Sequence, residues 1–125
     1  MKWIASIAAL AALTLTAQAS DEQLAKGKEI YDTRGACASC HGPEGKGDGA
    51  AAAALNPKPR NFAAGDYKYD TDGDGKTGTA KDIANIISKG AAAYGGSMLM
   101  VARPDITGED LDALVAYVLS LHKEG

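Results

Sequence analysis

The sequence predicts an all-α domain of three to five helices joined by long loops. Three segments carry apolar residues at helical spacing and have residues typical of helix termini at their ends. No segment shows the sustained alternation of apolar and polar residues that is typical of a half-buried strand. The chain has 125 residues, which is enough for one small domain.

Residues 1–19 have the pattern of a secretory signal peptide. Lys2 precedes an uncharged apolar run, Ile4 to Leu15, and the last three residues read Ala-Gln-Ala, which places small side chains where a signal peptidase cleaves. The alternative is an uncleaved anchor, but the apolar run has about 12 residues, whereas a membrane-spanning helix needs roughly 20. We therefore expect cleavage before Ser20, a periplasmic domain over residues 20–125, and no membrane span in the mature chain.

The predicted mature chain is acidic and poor in large apolar side chains. The full chain has 13 basic and 16 acidic side chains, and removal of Lys2 leaves 12 against 16, a net charge of −4. Because no basic stripe is present to neutralise phosphates, we do not expect nucleic acid as a partner. A core built mainly from alanine and glycine would be thin, so another group is expected to fill the centre of the domain.

The first predicted helix covers Asp21 to Thr33. Its first turn is acidic, which the positive end of the helix dipole favours. Leu24, Gly27 and Tyr31 fall on one stripe of this helix. Since glycine is a poor helix former in mid-helix, Gly27 indicates close approach by another helix.

The second predicted helix covers Thr79 to Lys89. Thr79 and Asp82 have the spacing of a capping box. Gly90 stands where a residue in the left-handed conformation would end the helix. The predicted buried stripe consists of Ile83, Ile86 and Ile87.

The third predicted helix covers Thr107 to His122 and repeats this pattern. Thr107 is the predicted cap, and Asp110 follows three residues later. The predicted apolar stripe, at helical period, consists of Leu111, Leu114, Val115 and Val118.

Both cysteines lie in the sequence Cys-Ala-Ser-Cys-His. On a helical turn, Cys37, Cys40 and His41 would share one face, because side chains at i, i+3 and i+4 are neighbours. Two thiols so placed can add to the two vinyl groups of one haem, while the imidazole reaches the iron from the same side. Cys-x-x-Cys-His is the attachment signature of c-type haem. We therefore predict one haem c, bound covalently through Cys37 and Cys40, with His41 as an iron ligand.

Two other uses of the cysteines remain open. Export places them in an oxidising compartment, where a disulfide between Cys37 and Cys40 or a thioredoxin-like redox pair can form. A thioredoxin-like pair should open a helix after a strand, and no strand is predicted before Cys37. Structural zinc needs four ligands, but beyond this motif the chain has only one more histidine, His122, and no more cysteine.

Residues 42–65 form the longest segment without a regular pattern. A flexible linker is the simplest interpretation of its glycines and alanines. However, long irregular loops in compact domains usually serve a function. Glycines let the backbone approach a flat haem edge, and Pro57 and Pro59 stiffen the chain. We therefore expect an ordered loop that wraps around the haem.

A six-coordinate iron needs a second axial ligand, and the candidates are Met98, Met100 and His122. His122 ends a predicted helix beside charged residues, so we expect it to face solvent. The two methionines lie in the loop between the last two helices, and spacing alone barely separates them. Apolar packing is the alternative role for either methionine.

The predicted mature chain, over essentially its whole length, resembles the monohaem class I c-type cytochromes of bacterial periplasms. The stretch CASCHGPEGKGDG is similar to the attachment turn of that family, and LNPKPRNF resembles a stretch common in one branch. GAAAYGGSMLM is similar to the ligand loop of the same branch, whose final methionine binds iron. The resemblance implies the small cytochrome c fold around one covalently bound haem, with Met100 as the sixth ligand.

The resemblance also implies two tertiary contacts. Gly27 and Tyr31 would cross the terminal helix near Leu114 and Tyr117. In this family a loop-proline carbonyl normally accepts the N–H of the proximal imidazole. Here that carbonyl would belong to one of the two prolines, Pro57 or Pro59.

These features predict a soluble periplasmic one-electron carrier rather than an enzyme. Both axial positions would be filled, and methionine ligation raises the reduction potential of a haem. Redox partner proteins would dock at the exposed haem edge, and the acidic balance favours a partner with a basic patch. One alternative is a dedicated haem c subunit of a periplasmic dehydrogenase or oxidase complex. The other is an enzyme or gas sensor in which the iron has an open position.

One acidic segment resembles the start of an EF-hand calcium loop. Asp70, Asp72 and Asp74 are followed by Gly75 at the EF-hand spacing. The twelfth position, which should be glutamate, is Lys81, and no helix is predicted before the first aspartate. We expect a polar turn at this segment and no bound calcium.

Overall fold

A computed structural model describes residues 19–123, which form helices and loops without any strand. The all-α prediction is confirmed for this part of the chain. Residues 1–18, most of the predicted signal peptide, lie outside the described range. Within residues 19–123, no helix is long and apolar enough to cross a membrane. The α-helices are α1 (Asp21–Asp32), α2 (Ala38–His41), α3 (Ala80–Lys89) and α4 (Gly108–Ser120), and the short 3-10 helices are Ala52–Ala54 and Ala91–Tyr94.

Helices α1 and α4 cross at Gly27. A Cβ atom at this position would lie 2.1 Å from the carbonyl oxygen of Ala113 and 2.7 Å from Cβ of Tyr117. One turn further along α1, the rings of Tyr31 and Tyr117 meet edge to face, with centroids 5.2 Å apart. The predicted crossing is therefore confirmed, and it requires glycine because the contact includes backbone.

The core lies where α1, α3 and α4 meet. Two of the three predicted isoleucines of α3, Ile83 and Ile87, are buried in it. The third, Ile86, is half-buried and faces the cavity described below. The buried core cluster consists of Ile30, Tyr31, Ile83, Ile87, Ile106, Leu114, Val115, Tyr117 and Val118.

The predicted capping box of α3 is present. The amide of Asp82 donates to Oγ1 of Thr79, and the amide of Thr79 donates to Oδ2 of Asp82, both at 3.2 Å. The helix ends before Gly90, as predicted. Gly90 has φ 82° and ψ 155°, so its φ is positive but its conformation is not the left-handed helical one that we expected.

The predicted capping role of Asp110 in α4 is wrong. Thr107 occupies the N-cap position, but its side chain makes no capping hydrogen bond. The Asp110 carboxylate instead contacts Nζ of Lys26 at 2.9 Å and Nη2 of Arg34 at 2.6 Å. Two cations from α1 and the following turn therefore draw this carboxylate away from the backbone of its own helix.

Asp82 also joins α3 to the loop before it. Its side chain is only 1% exposed, and Oδ1 accepts hydrogen bonds of 2.8 Å from both the amide and the hydroxyl of Thr71. Burial alone would raise the pKa of Asp82, but the hydrogen bonds from Thr71 and Thr79 outweigh it and hold the pKa below 3.8. The carboxylate is therefore charged at neutral pH.

Replacing Asp82 with asparagine is expected to destabilise the protein by about 2 kcal/mol at neutral pH, since hydrogen bonds to a charged acceptor are lost. Because the folded-state pKa lies below 3.8, the contribution is full above that pH and is lost as pH falls through the folded-state value. Urea unfolding at neutral and acidic pH measures both effects. Asp112→Asn, at an exposed position of α4, is the control. An equal effect of Asp82→Asn at both pH values would contradict this account.

The segment 42–65 folds back onto α2, in agreement with the prediction of an ordered loop. The amides of Gly47, Gly49 and Ala51 donate to the carbonyl oxygens of the last residues of α2, at 2.8, 3.0 and 2.9 Å. Since these carbonyls have no partner within so short a helix, the loop supplies their hydrogen bonds. The loop thereby fixes α2 in place.

Candidate functional site

A cavity of about 820 Å³ lies between α2, the segment 55–69, α3 and the segment 97–103. Its volume falls in the range of about 300–1,000 Å³ that is typical of ligand pockets. The walls are mainly apolar and include Leu55, Phe62, Ile83, Ile86, Ile87 and Val118. The helices and loops thus enclose a cavity. This agrees with the expectation that a group other than protein side chains fills the centre of the domain.

Helix α2 presents Cys37, Cys40 and His41 to this cavity. The amide of His41 donates to the carbonyl of Cys37 at 2.9 Å, which forms the helical turn that places the three side chains on one face. No disulfide joins the two cysteines, and neither is fully buried. The helical turn predicted for the three side chains is present.

The imidazole of His41 is held from two directions. Its Nδ1 atom lies 3.0 Å from the carbonyl oxygen of Arg60, and its ring stacks on Phe62 with centroids 4.3 Å apart. A carbonyl oxygen only accepts, so Nδ1 carries the proton in this contact and Nε2 keeps a free lone pair. The contact with Arg60 therefore leaves Nε2 of His41 available to bind a metal ion.

The expectation that Pro57 or Pro59 accepts the imidazole N–H is wrong. Both prolines line the cavity, but the acceptor is Arg60, one residue further along the chain. The Pro59 carbonyl oxygen lies instead against Gly47, where a Cβ atom would come within 2.6 Å of it. Gly47 has φ 78°, a conformation that glycine adopts without strain.

Burial sets the protonation of the site. It lowers the pKa of His41, and the hydrogen bond to Arg60 offsets this only in part, so the neutral, metal-binding form is favoured. Burial also raises the pKa of the Cys37 thiol to about 11. A redox-active Cys-x-x-Cys pair needs a thiol with a lowered pKa, in the range of about 3.5–7.5. The raised pKa of Cys37 and the absence of a strand before it in the described part of the chain both argue against the thioredoxin-like alternative.

Tyr67 provides an independent test of whether a haem fits the cavity. Its hydroxyl is buried in the cavity wall and finds no hydrogen-bond partner among the described residues. Burial raises the pKa of Tyr67 to about 12, so the hydroxyl remains a donor. Buried donors are nearly always satisfied, which indicates a partner beyond the described residues. A haem, with its apolar macrocycle and polar carboxylates, fits these walls.

The three candidates for the second axial ligand occupy different environments. Met100 is half-buried and lines the cavity, whereas Met98 is 81% exposed. His122 is exposed, as predicted, and its ring lies against Gly65 rather than in the cavity wall. Of the three, Met100 is the residue that faces the same space as His41.

Several residues of the site were not predicted from the sequence. Arg60, Phe62 and Tyr67 orient His41 or line the cavity, and Arg103 also lines the cavity. Arg60 and Phe62 lie within the stretch LNPKPRNF, and Tyr67 follows it. The two prolines of this stretch were the one sequence signal that pointed to an ordered loop there. Nothing in the local pattern indicates that Arg103 belongs to the site.

The acidic segment forms a closed turn. The carboxylate of Asp70 accepts hydrogen bonds from the amides of Gly73, Asp74 and Gly75, at 2.9, 3.2 and 2.8 Å. These bonds, that from Gly75 foremost, lower the pKa of Asp70. The segment therefore has the hydrogen bonds of the predicted polar turn.

Calcium is expected to leave the melting temperature and the amide chemical shifts of residues 69–79 unchanged. The three aspartate side chains come within 4.8 Å of one another, but the backbone already occupies the carboxylate of the first, and the position of the usual glutamate is a lysine. A calcium titration followed by calorimetry and NMR measures this. A saturable shift confined to the turn would contradict the expectation, and magnesium serves as the control ion.

Taken together, the helical fold, the Cys-x-x-Cys-His turn and the cavity define a protein that attaches haem covalently. The chain belongs to the cytochrome c family, which it matches over residues 24–122. It carries haem c, attached through Cys37 and Cys40, and has a haem-based role in electron transfer.

The comparison with solved structures finds a chain of the "Kuenenia stuttgartiensis reducing HAO-like protein complex Kustc0457/Kustc0458". The two chains are 40% identical, with a TM-score of 0.57. The similarity covers 76% of the present chain and 40% of that chain, so the present chain matches less than half of that protein. No curated protein matches the sequence at a significant level.

Proposed function

We propose that this protein is a soluble periplasmic one-electron carrier in which His41 and Met100 are the axial ligands of the haem. The observation that carries the proposal is that both side chains face the same cavity, whereas Met98 faces solvent. Haem c supplies a one-electron iron couple, and methionine ligation raises its potential. Two protein ligands leave no open position for a substrate.

The surrounding residues support this role. Arg60 and Phe62 fix the imidazole of His41, and the walls of the cavity are mainly apolar. Apolar walls around a haem would limit the solvent rearrangement that accompanies a change of charge at the iron. Such a site favours rapid electron transfer over chemistry on a bound substrate.

The sequence before Ser20 supports the proposed location, because it has the pattern of a signal peptide. We infer that a signal peptidase removes residues 1–19 and leaves Ser20 as the first residue of the periplasmic protein. Ser20 caps α1, since its hydroxyl accepts a hydrogen bond of 3.1 Å from the amide of Gln23. Cleavage at this bond would thus leave the first helix complete, with its cap.

Partner proteins would dock at the mouth of the cavity. Leu99 and Val101 are 63% and 62% exposed there, which suits small and short-lived redox contacts. Exposed lysines, Lys46, Lys58 and Lys68, also line the cavity. Their charge is opposite in sign to the net charge of the chain, so net charge alone does not identify the partner.

A spectroelectrochemical titration, combined with addition of carbon monoxide to the reduced protein, tests the carrier function. A carrier with two protein ligands gives a single one-electron transition, and carbon monoxide leaves its spectrum unchanged. Rapid binding of carbon monoxide would instead indicate an open iron position and an enzyme or sensor.

The second candidate is a haem c subunit of a periplasmic oxidoreductase complex. It is favoured by the similarity to a chain of the Kuenenia complex. The present chain matches 40% of the length of that one chain. Purification from native membranes and periplasm under mild conditions separates the two functions. A carrier elutes as a free small protein, whereas a subunit elutes with a constant set of partner chains.

A further inference from the structure

Arg103 ends the methionine segment, residues 97–103, at the point where this segment passes the turn at residues 34–36. This turn directly precedes Cys37, the first attachment cysteine. Its guanidinium donates from Nη1 to the carbonyl of Gly35 at 2.9 Å and from Nη2 to the carbonyl of Arg34 at 2.8 Å. The side chain is 25% exposed and lines the cavity. The Arg103 side chain thus contacts Gly35 and Arg34, which lie 68 and 69 positions before it in the sequence.

Asp105 fixes the orientation of this guanidinium. Its two carboxylate oxygens accept hydrogen bonds from Nε and Nη2 of Arg103, each at 3.0 Å. Such a two-point contact holds the planar fork in one direction, which a lysine could not reproduce. One N–H of Nη1 and the second N–H of Nη2 are therefore aimed at the two carbonyl oxygens.

The backbone from Met100 to Arg103 is tied to the end of α3 and the 3-10 helix after it. The carbonyl of Met100 accepts from the amide of Ala91 at 3.1 Å, and the amide of Arg103 donates to the carbonyl of Ile87 at 2.7 Å. Between these two anchors, Val101 is 62% exposed. The segment from Met100 to Arg103 therefore follows α3 closely. At Arg103 this segment also contacts the turn at residues 34–36.

The turn at residues 34–36 has an uncommon backbone conformation and lies beside the first attachment cysteine. Ala36 has φ 53°, which is uncommon for a residue with a side chain. A Cβ atom at Gly35 would lie 3.1 Å from Sγ of Cys37, so the turn passes close to the first attachment cysteine. The guanidinium of Arg103 is the hydrogen-bond partner of two successive carbonyls in this turn.

We propose that Arg103 is a positioning residue that keeps Met100 on the iron by joining the methionine segment to the turn before Cys37. The inference rests on the ligation by Met100 proposed above. The fork fixes the separation between the wall that carries the covalent attachment and the wall that carries the sixth ligand. Without it, the methionine segment is held only through α3 and the 3-10 helix after it, and Met100 dissociates more readily.

Titration of the ferric protein with imidazole, which competes with methionine for the iron, tests this role. In Arg103→Gln the apparent affinity for imidazole is expected to rise at least about tenfold, equivalent to about 1.4 kcal/mol weaker methionine ligation. The far-red sulfur-to-iron band should weaken in parallel. Asp105→Asn keeps Arg103 but removes the carboxylate that orients it, and should raise the affinity by a smaller factor.

Arg34→Gln is the matched control. It removes the same charge from the turn that Arg103 contacts, where the Arg34 side chain pairs with Asp110, but it retains the Arg34 backbone carbonyl that accepts from Arg103. We expect less than about a twofold change in imidazole affinity, within the range of ordinary surface substitutions. Equal affinities in Arg103→Gln and Arg34→Gln would overturn the proposal. If Arg103→Gln does not mature, Asp105→Asn decides in the same way.

The same titration separates this inference from the proposed ligation. If the unmodified protein shows no far-red band and binds imidazole as tightly as Met100→Ala does, ligation by Met100 itself is wrong. If the band is present and Met100→Ala abolishes it, but the two arginine variants behave alike, only the role of Arg103 is wrong.

Discussion

Replacing Met100 with alanine is expected to abolish the far-red sulfur-to-iron band of the ferric protein. The reduction potential should also fall by on the order of 0.1 V, since axial ligands set haem potentials over a range of roughly 0.8 V and methionine lies toward its upper part. Met100 is half-buried in the cavity wall, and no other described methionine lines it. Absorption spectroscopy and a potentiometric titration measure the two effects.

Met98→Ala is the matched control for this prediction. It makes the same substitution two positions away in the same loop, at a side chain that is 81% exposed. The band and the potential should remain as in the unmodified protein. If Met98→Ala lost the band and Met100→Ala retained it, the ligand assignment would be reversed.

Replacing Gly27 with alanine is expected to destabilise the protein by about 2–3 kcal/mol, the upper part of the range for overpacking in a core. The new Cβ atom would lie 2.1 Å from the carbonyl oxygen of Ala113, a backbone atom that cannot move without displacing α4. In an exposed helix the same change would stabilise by up to about 1 kcal/mol, because alanine is the better helix former. Packing therefore reverses the sign that helix propensity predicts.

Chemical unfolding of the haem-loaded protein measures the effect of Gly27→Ala. Glu29→Ala, at an exposed position of the same helix, is the control and should change the free energy of unfolding by less than about 0.5 kcal/mol. An increase in stability for Gly27→Ala would show that α1 and α4 do not cross at this residue.

Much of this molecule could be predicted because the signals are local. Helical spacing and capping residues located α1, α3 and α4, and the position of Gly27 indicated a helix crossing before its partner was known. The Cys-x-x-Cys-His motif specified the geometry of α2, since a helical turn places these side chains on one face.

The remainder depends on tertiary contacts that have no local signal. Asp110 stands at capping spacing from Thr107, but two cations from another part of the chain bind it instead. The imidazole of His41 donates to the carbonyl of Arg60 rather than to that of a proline. The path of the loop places the Pro59 carbonyl against Gly47 instead, and no local pattern indicates this path. Arg103 contacts residues 68 and 69 positions away, a distance over which sequence pattern gives no guide.

Intact-mass spectrometry of the protein, produced in a host with the haem-attachment machinery, tests the central claim most directly. The account predicts a mass equal to the chain from Ser20 onward plus one haem, retained under denaturing conditions because thioethers at Cys37 and Cys40 hold it. Replacing both cysteines with serine should remove the added mass. A mass equal to the bare polypeptide, from a host that loads other c-type cytochromes, would contradict the account.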